Sequence, residues 1–153
     1  MYKIINNIII KEGISGMLAN MYKTRSSVSE LEYHLVWCTK YRNKGFTTEM
    51  QKYLKSYILS ILKDNNCIGK AIEVMPNHVH LLLQMPPYLS VTMIMKKIKG
   101  ATARRMMQKY PELHQKFYGG HLWSPSYFAK STGNCSDEII QKYINTQWER
   151  PFK

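Results

Sequence analysis

The chain has 153 residues, 44% of them hydrophobic, and a formal net charge of +12. That length and apolar content suit one domain with its own core and exclude a disordered or fibrous chain. The charge points to an anionic polymer, nucleic acid first, but specifies no chemistry. The three cysteines (Cys38, Cys67 and Cys135) are far apart and form no C-x-x-C. They argue against a disulfide framework or a cysteine zinc site and fit a reducing compartment. No apolar run is long enough to span a membrane.

Residues 1–20 are read as an accessory or disordered extension, and the domain as 21–153. Asn6 and Asn7 break the early apolar stretch, no small-residue cleavage site follows, and Met17 and Met21 are candidate starts. "EYHLVWCT", Glu32 to Thr39, is rich in β-branched and aromatic residues and predicts a first strand. A helix should follow from Thr47. Met50, Tyr53, Leu54, Tyr57, Ile58, Ile61 and Leu62 recur at helical spacing, Thr47 is its cap, and Asn65-Asn66 ends it.

"CIGKAIEVM" and "NHVHLLLQM" predict two strands joined by a tight turn around Pro76-Asn77. Ser90 can cap a second helix with Val91, Ile94, Met95 and Ile98 facing inward and Lys97, Arg104 and Gln108 on another face. Arg105 falls near the apolar line, which implies a frayed helix or a special task. No Asp or Glu occurs from Val74 to Pro111, while Lys96, Lys97, Lys99, Arg104, Arg105 and Lys109 do. This segment reads as a phosphate-binding face, with an ordinary solvated helix face as the alternative.

Past Gly119-Gly120, "HLWSPSYFAKS" predicts a fourth strand, interrupted by Pro125 and therefore at a sheet edge. "TGNCS" is a flexible connection. Ser136 caps a last helix whose first turn is acidic (Asp137, Glu138) and which Pro151 stops. The order β-α-β-β-α-β-α predicts an α+β, ferredoxin-like antiparallel sheet with a C-terminal helix. That fold hosts many functions.

Alternate strand residues share a face, so His78 and His80 stand together, opposite Val79, Leu81 and Leu83. On spacing alone the pair fits metal ligands and paired structural histidines equally well. His34 lies on the face opposite Tyr33, Leu35 and Trp37 and is read as structural or supporting. In the last helix, Tyr143 and Gln147 are four residues apart on one face, beside a ridge of Ile140, Ile144 and Trp148. A phenol, with a pKa near ~10, attacks a phosphodiester poorly without help. A divalent cation stabilises the charge developing on phosphate oxygens, and two imidazoles with an amide oxygen can hold one without cancelling its charge.

The motifs "HVH" and Y-x-x-x-Q, with "YHLVWCTKYR" (Tyr33 to Arg42) and "GGHLWSPSYFAKSTGN", occur in this order. From about Met21 to Gln147 the chain resembles the single-tyrosine HUH transposases of the smallest bacterial insertion sequences and their REP-associated relatives. The resemblance implies cleavage and rejoining of single-stranded DNA with hairpin ends by a homodimer, through a 5′-phosphotyrosine. It implies Tyr143 as nucleophile and His78, His80 and Gln147 as ligands of Mg2+ or Mn2+. The tyrosine helix can act in trans, with Ser131 to Cys135 as the hinge, and the setting is a bacterial or archaeal cytoplasm. Lys40, Tyr41, Arg42, Lys97, Arg104 and Arg105 are the candidate DNA contacts. Alternatives are a non-catalytic RRM-like nucleic-acid module, a domesticated hairpin-nicking relative, and a zinc hydrolase using His78 and His80.

Overall fold

The computed structural model describes residues 22–131, Asn145, and the backbone of β1 (Tyr2–Ile5) and β2 (Ile8–Lys11). β1 and β2 pair antiparallel, with Ile5 opposite Ile8, so the N-terminal extension contains a two-stranded ribbon. A second small ribbon joins β3 (Tyr22–Lys23) to β4 (Val28–Ser29), with Thr24 Oγ1 2.6 Å from Ser27 Oγ across its turn.

The main sheet has the order β6-β7-β5-β8, with every neighbouring pair antiparallel. Its strands are β5 (Leu31–Cys38), β6 (Ile68–Val74), β7 (His78–Met85) and β8 (Phe128–Ser131). Helix α1 (Thr48–Asp64) links β5 to β6, and α2 (Val91–Lys109) lies between β7 and β8. β5 and β6 both flank β7, so they run parallel to each other, as do β7 and β8 on either side of β5. Two split β-α-β units therefore interleave, which is the predicted ferredoxin-like arrangement.

The helix starts lie where the caps were read. The Thr47 side chain accepts from Met50 N–H at 3.3 Å, and Ser90 accepts from Met93 N–H at 3.2 Å. Each satisfies one amide that the first helical turn leaves without a partner. Asn65 caps the end of α1, and Asn66 follows with φ +58°, a left-handed conformation that asparagine tolerates.

One face of the sheet carries the core. Leu35 and Trp37 from β5 and Val79, Leu81, Leu83 and Met85 from β7 meet Leu54, Ile58 and Leu62 of α1 and Ile94, Ile98 and Met106 of α2. Trp123 joins this core, donating its indole N–H to Thr102 Oγ1 at 2.9 Å.

Two local readings need correction. The fourth strand is split: Trp123 makes an isolated bridge to Thr39, and regular pairing resumes only at Phe128. Between them the Lys99 ammonium donates to the Ser124 and Ser126 carbonyls at 2.6 and 3.1 Å, bending the backbone around Pro125. His114 lies in a one-turn helix, α3 (Leu113–Lys116), anchored by buried Leu113. Helix α2 continues intact to Lys109, and Arg105 is exposed, so neither fraying nor an inward position applies to it. The predicted helix from Ser136 and the Ser131–Cys135 hinge beyond Ser131 lie outside the described residues.

Candidate metal and DNA site

The opposite face of the sheet carries the polar residues. On β7 it presents His78, His80, Leu82 and Gln84, and across β5 stand Cys38, Val36, His34 and Glu32. From β6, Glu73 lies opposite His80. Both ligand candidates are half-buried, so they are held by neighbours yet remain reachable. Val79, between them, is fully buried on the core side, and this fixes the register that aims both imidazoles outward.

Each imidazole is tied down through one ring nitrogen. Asn77, buried at the turn before β7, has Oδ1 2.8 Å from His78 Nδ1. The Asn77 carbonyl in turn accepts from the Thr39 amide at 2.9 Å, which locks this turn to the end of β5. His80 Nε2 lies 3.2 Å from His34 Nδ1, and the two rings are 5.5 Å apart with a 34° tilt. The His34–His80 contact runs diagonally, since His80 is directly opposite Val36.

Burial pushes the His78 pKa down, helped by His80 and by the Arg42 guanidinium, with Glu73 opposing. His78 is therefore neutral at pH 7, the form with a lone pair for a cation. Burial holds the neighbouring Cys38 thiol at about 11, so it does not supply a thiolate. Two imidazoles of fixed orientation suit part of an open divalent site. Among the described residues, no group of three His, Cys, Asp or Glu side chains could close a metal cage. The Tyr143 and Gln147 side chains lie outside the described residues. Asn145, between them in sequence, is described: it is helical and exposed, and its carbonyl accepts from Arg42 Nη1 at 3.5 Å.

Of the six proposed DNA contacts, three lie at the histidine end of the sheet. Lys40–Arg42 form a 3₁₀ turn directly after β5, whose last residue, Cys38, pairs with His78. Tyr41 and Arg42 have φ of +60° and +53°, left-handed values that are costly for such side chains. Two such residues in succession project Tyr41 into solvent, 60% exposed, with Lys40 Nζ 5.8 Å from its ring centre. The other three are on α2, in the layer that covers the core face, and the structure does not bring them to the histidines. Lys97 Nζ donates to Asn65 Oδ1 at 2.7 Å, and Lys97 and Arg104 line a groove between α1 and α2. Arg105 Nε donates to Tyr53 Oη at 2.7 Å.

The strand alternation marks His34 as lying off the core face, but not its contact with His80, because diagonal neighbours depend on strand register. Asn77 was legible only as a turn residue.

Residues 27–147 match the family described as Transposase IS200 like. The chain belongs to that family. It is 42% identical over 130 residues to the ISDra2 transposase TnpA of Deinococcus radiodurans, covering 85% of this chain and 93% of the relative. It is 28% identical over 118 residues to the transposase for insertion sequence element IS200 of Salmonella typhimurium, covering 77% of each. A crystal structure from Deinococcus radiodurans R1, described there provisionally as a transposase, superposes with a TM-score of 0.78 at 42% identity. It covers 83% of this chain and 98% of that one. A REP-associated tyrosine transposase bound to a REP hairpin shares the fold, with a TM-score of 0.52 at 15% identity over 84% of this chain and 76% of that one. Membership makes this IS200-like transposase a DNA-processing enzyme, which sets aside the zinc-hydrolase and non-catalytic module readings. Among the described residues no helix is long and apolar enough to cross a membrane.

Proposed function

We propose that this IS200-like transposase cuts and rejoins single-stranded DNA through Tyr143, assisted by Mg2+ or Mn2+ held by His78, His80 and Gln147. The observation that carries the reading is the pair of half-buried imidazoles on the face of a central strand away from the helical core, each held by a neighbour. A bound divalent cation would polarise the scissile phosphate and stabilise charge on its oxygens. The Tyr143 phenolate oxygen forms a bond to phosphorus, and the phosphorus–O3′ bond breaks. The 3′ oxygen leaves as a hydroxyl, taking up a proton, and the 5′ phosphate stays on Tyr143. Attack by another 3′-hydroxyl reverses the step on a new partner strand, so no nucleotide cofactor is consumed.

Lys40, Tyr41 and Arg42, beside the histidines, contact the strand near the cut. Lys97, Arg104 and Arg105, on the helical layer, meet backbone phosphates farther away, where such contacts position the DNA without reading sequence. Recognition of hairpins, a homodimeric state and exchange of the tyrosine helix between subunits belong to the same proposal, as does a cytoplasmic setting. Arg42 donates to the Asn145 carbonyl at 3.5 Å, a contact that brings this one residue beside the turn after β5.

The test uses end-labelled single-stranded DNA from the gene's flanks, with Mg2+ or Mn2+, on a denaturing gel. A detergent-stable protein–DNA adduct should form only with metal and vanish in Tyr143→Phe while hairpin binding persists. Cutting by Tyr143→Phe would reject the nucleophile. Binding without an adduct in the unsubstituted protein would favour a hairpin-binding relative.

A further inference from the structure

Two loops at the histidine end of the sheet are built alike. In the first, residues 40–46, Tyr41 and Arg42 both have left-handed φ. In the second, the 3₁₀ turn Tyr118–Gly120, Gly119 and Gly120 have φ of +78° and +72°. The loops are clasped to each other. The Lys40 amide donates to the Leu122 carbonyl at 2.9 Å, and Asn43 Nδ2 donates to the Lys116 carbonyl at 2.7 Å. The Lys116 ammonium returns a bond to the Gly45 carbonyl at 3.3 Å. Between them the Phe117 ring lies so close that a Cβ on Gly45 would come within 2.4 Å of it. Backbone held in costly conformations by its surroundings is concentrated where a surface has a task beyond packing.

What the clasped loops present is aromatic and basic. Tyr41 is 60% exposed and Tyr118 90% exposed. One exposed tyrosine is ordinary on a protein surface. Here each stands two residues from a side chain of the clasp, Tyr41 before Asn43 and Tyr118 after Lys116. Residues 40–46 and 113–123 also carry Lys40, Arg42, Lys44 and Lys116, and no Asp or Glu. Unpaired DNA bases expose their faces, and proteins take them up on aromatic rings set among cations that track the phosphates. We propose that Tyr118 is a stacking residue for an unpaired base of the DNA strand, in a site shared with the Lys40–Arg42 turn across the clasp. It rests on the reading above that single-stranded DNA is the substrate, and it is independent of the metal and of Tyr143. The left-handed backbone at Gly119 and Gly120 favours glycine, so the chain can turn away directly after Tyr118.

The test compares two hairpins with the same stem, one blunt and one with an unpaired extension from the gene's flank. Each is bound to the full chain in EDTA and followed by fluorescence anisotropy. Tyr118→Ala should weaken binding of the extended hairpin on the order of 5–100-fold and leave the affinity for the blunt one unchanged. Tyr118→Phe, which keeps the ring, should bind both as the unsubstituted protein does. 2-Aminopurine, placed at each extension position in turn, should at one position be quenched by the unsubstituted protein and by Tyr118→Phe, and recover with Tyr118→Ala. An equal loss on both hairpins in Tyr118→Ala would make Tyr118 a stem contact and overturn the proposal. So would a gain from the extension that Tyr118→Ala keeps in full, a result that leaves the single-strand reading standing. An extension that adds nothing to the affinity of the unsubstituted protein would overturn both.

Discussion

Adjacent residues of β7 do different work. Leu81 is fully buried against α1 and α2, while His80, one residue away, is half-buried on the opposite face and touches His34. Burying a leucine of this kind stabilises the fold by roughly 1.5–3 kcal/mol, and the helical layer collects many such residues. The histidine face buries Val36, Cys38 and Gln84 as well, yet leaves His78 and His80 half-buried, so those two side chains can be arranged for chemistry. Stability and reactivity are separated by the pleat of one strand, about as close as a chain allows.

The sharpest break in that comparison is between His80→Ala and Leu81→Ala. His80→Ala should abolish metal-dependent cleavage with little change in urea midpoint. Leu81→Ala should cost about 2–5 kcal/mol in urea unfolding yet leave Mn2+ affinity near normal in the protein that remains folded. A next, smaller effect belongs to the buried bond on the helical side. Thr102→Val strands the Trp123 indole N–H and should destabilise by about 1–3 kcal/mol in the same assay, without altering metal affinity.

Lys99 sharpens the contrast through pH. Burial holds its ammonium down to about 8 from the ordinary 10.5. Below about pH 8 the group is charged in both folded and unfolded chains, and the folded state bears the full desolvation cost. As pH rises from about 8 towards 10.5, the native protein has released its proton while the unfolded chain still binds it, so native stability rises. Urea melts at pH 7 and pH 10 should show the unsubstituted protein gaining on Lys99→Met over that interval. A constant difference would mean that Lys99 titrates normally.

The elements most legible in the sequence were those whose signals are local. The apolar spacing from Met50 to Leu62, with Thr47 and Asn65 at its ends, located α1 because capping and periodicity act within a few residues. The two histidines on one face followed from strand alternation. What was hidden depended on contacts between distant segments. The His34–His80 approach needs the β5–β7 register, and the break in the fourth strand needs Lys99 of α2 to capture two carbonyls. The Arg105–Tyr53 bond was hidden because helical spacing near the apolar stripe does not reveal a tyrosine on the neighbouring helix. The roles proposed for Tyr143 and Gln147 come from the likeness to HUH transposases, since spacing alone supported them only modestly.

The most direct test of the central claim is Mn2+ binding to Tyr143→Phe protein with a hairpin-containing single strand, compared with the same protein carrying His78→Ala or His80→Ala. If the histidine face holds the cation, each histidine substitution should remove the bound Mn2+ signal while thermal unfolding and hairpin binding stay close to those of the parent. Equal Mn2+ binding in all three folded proteins would place the cation elsewhere and contradict the account.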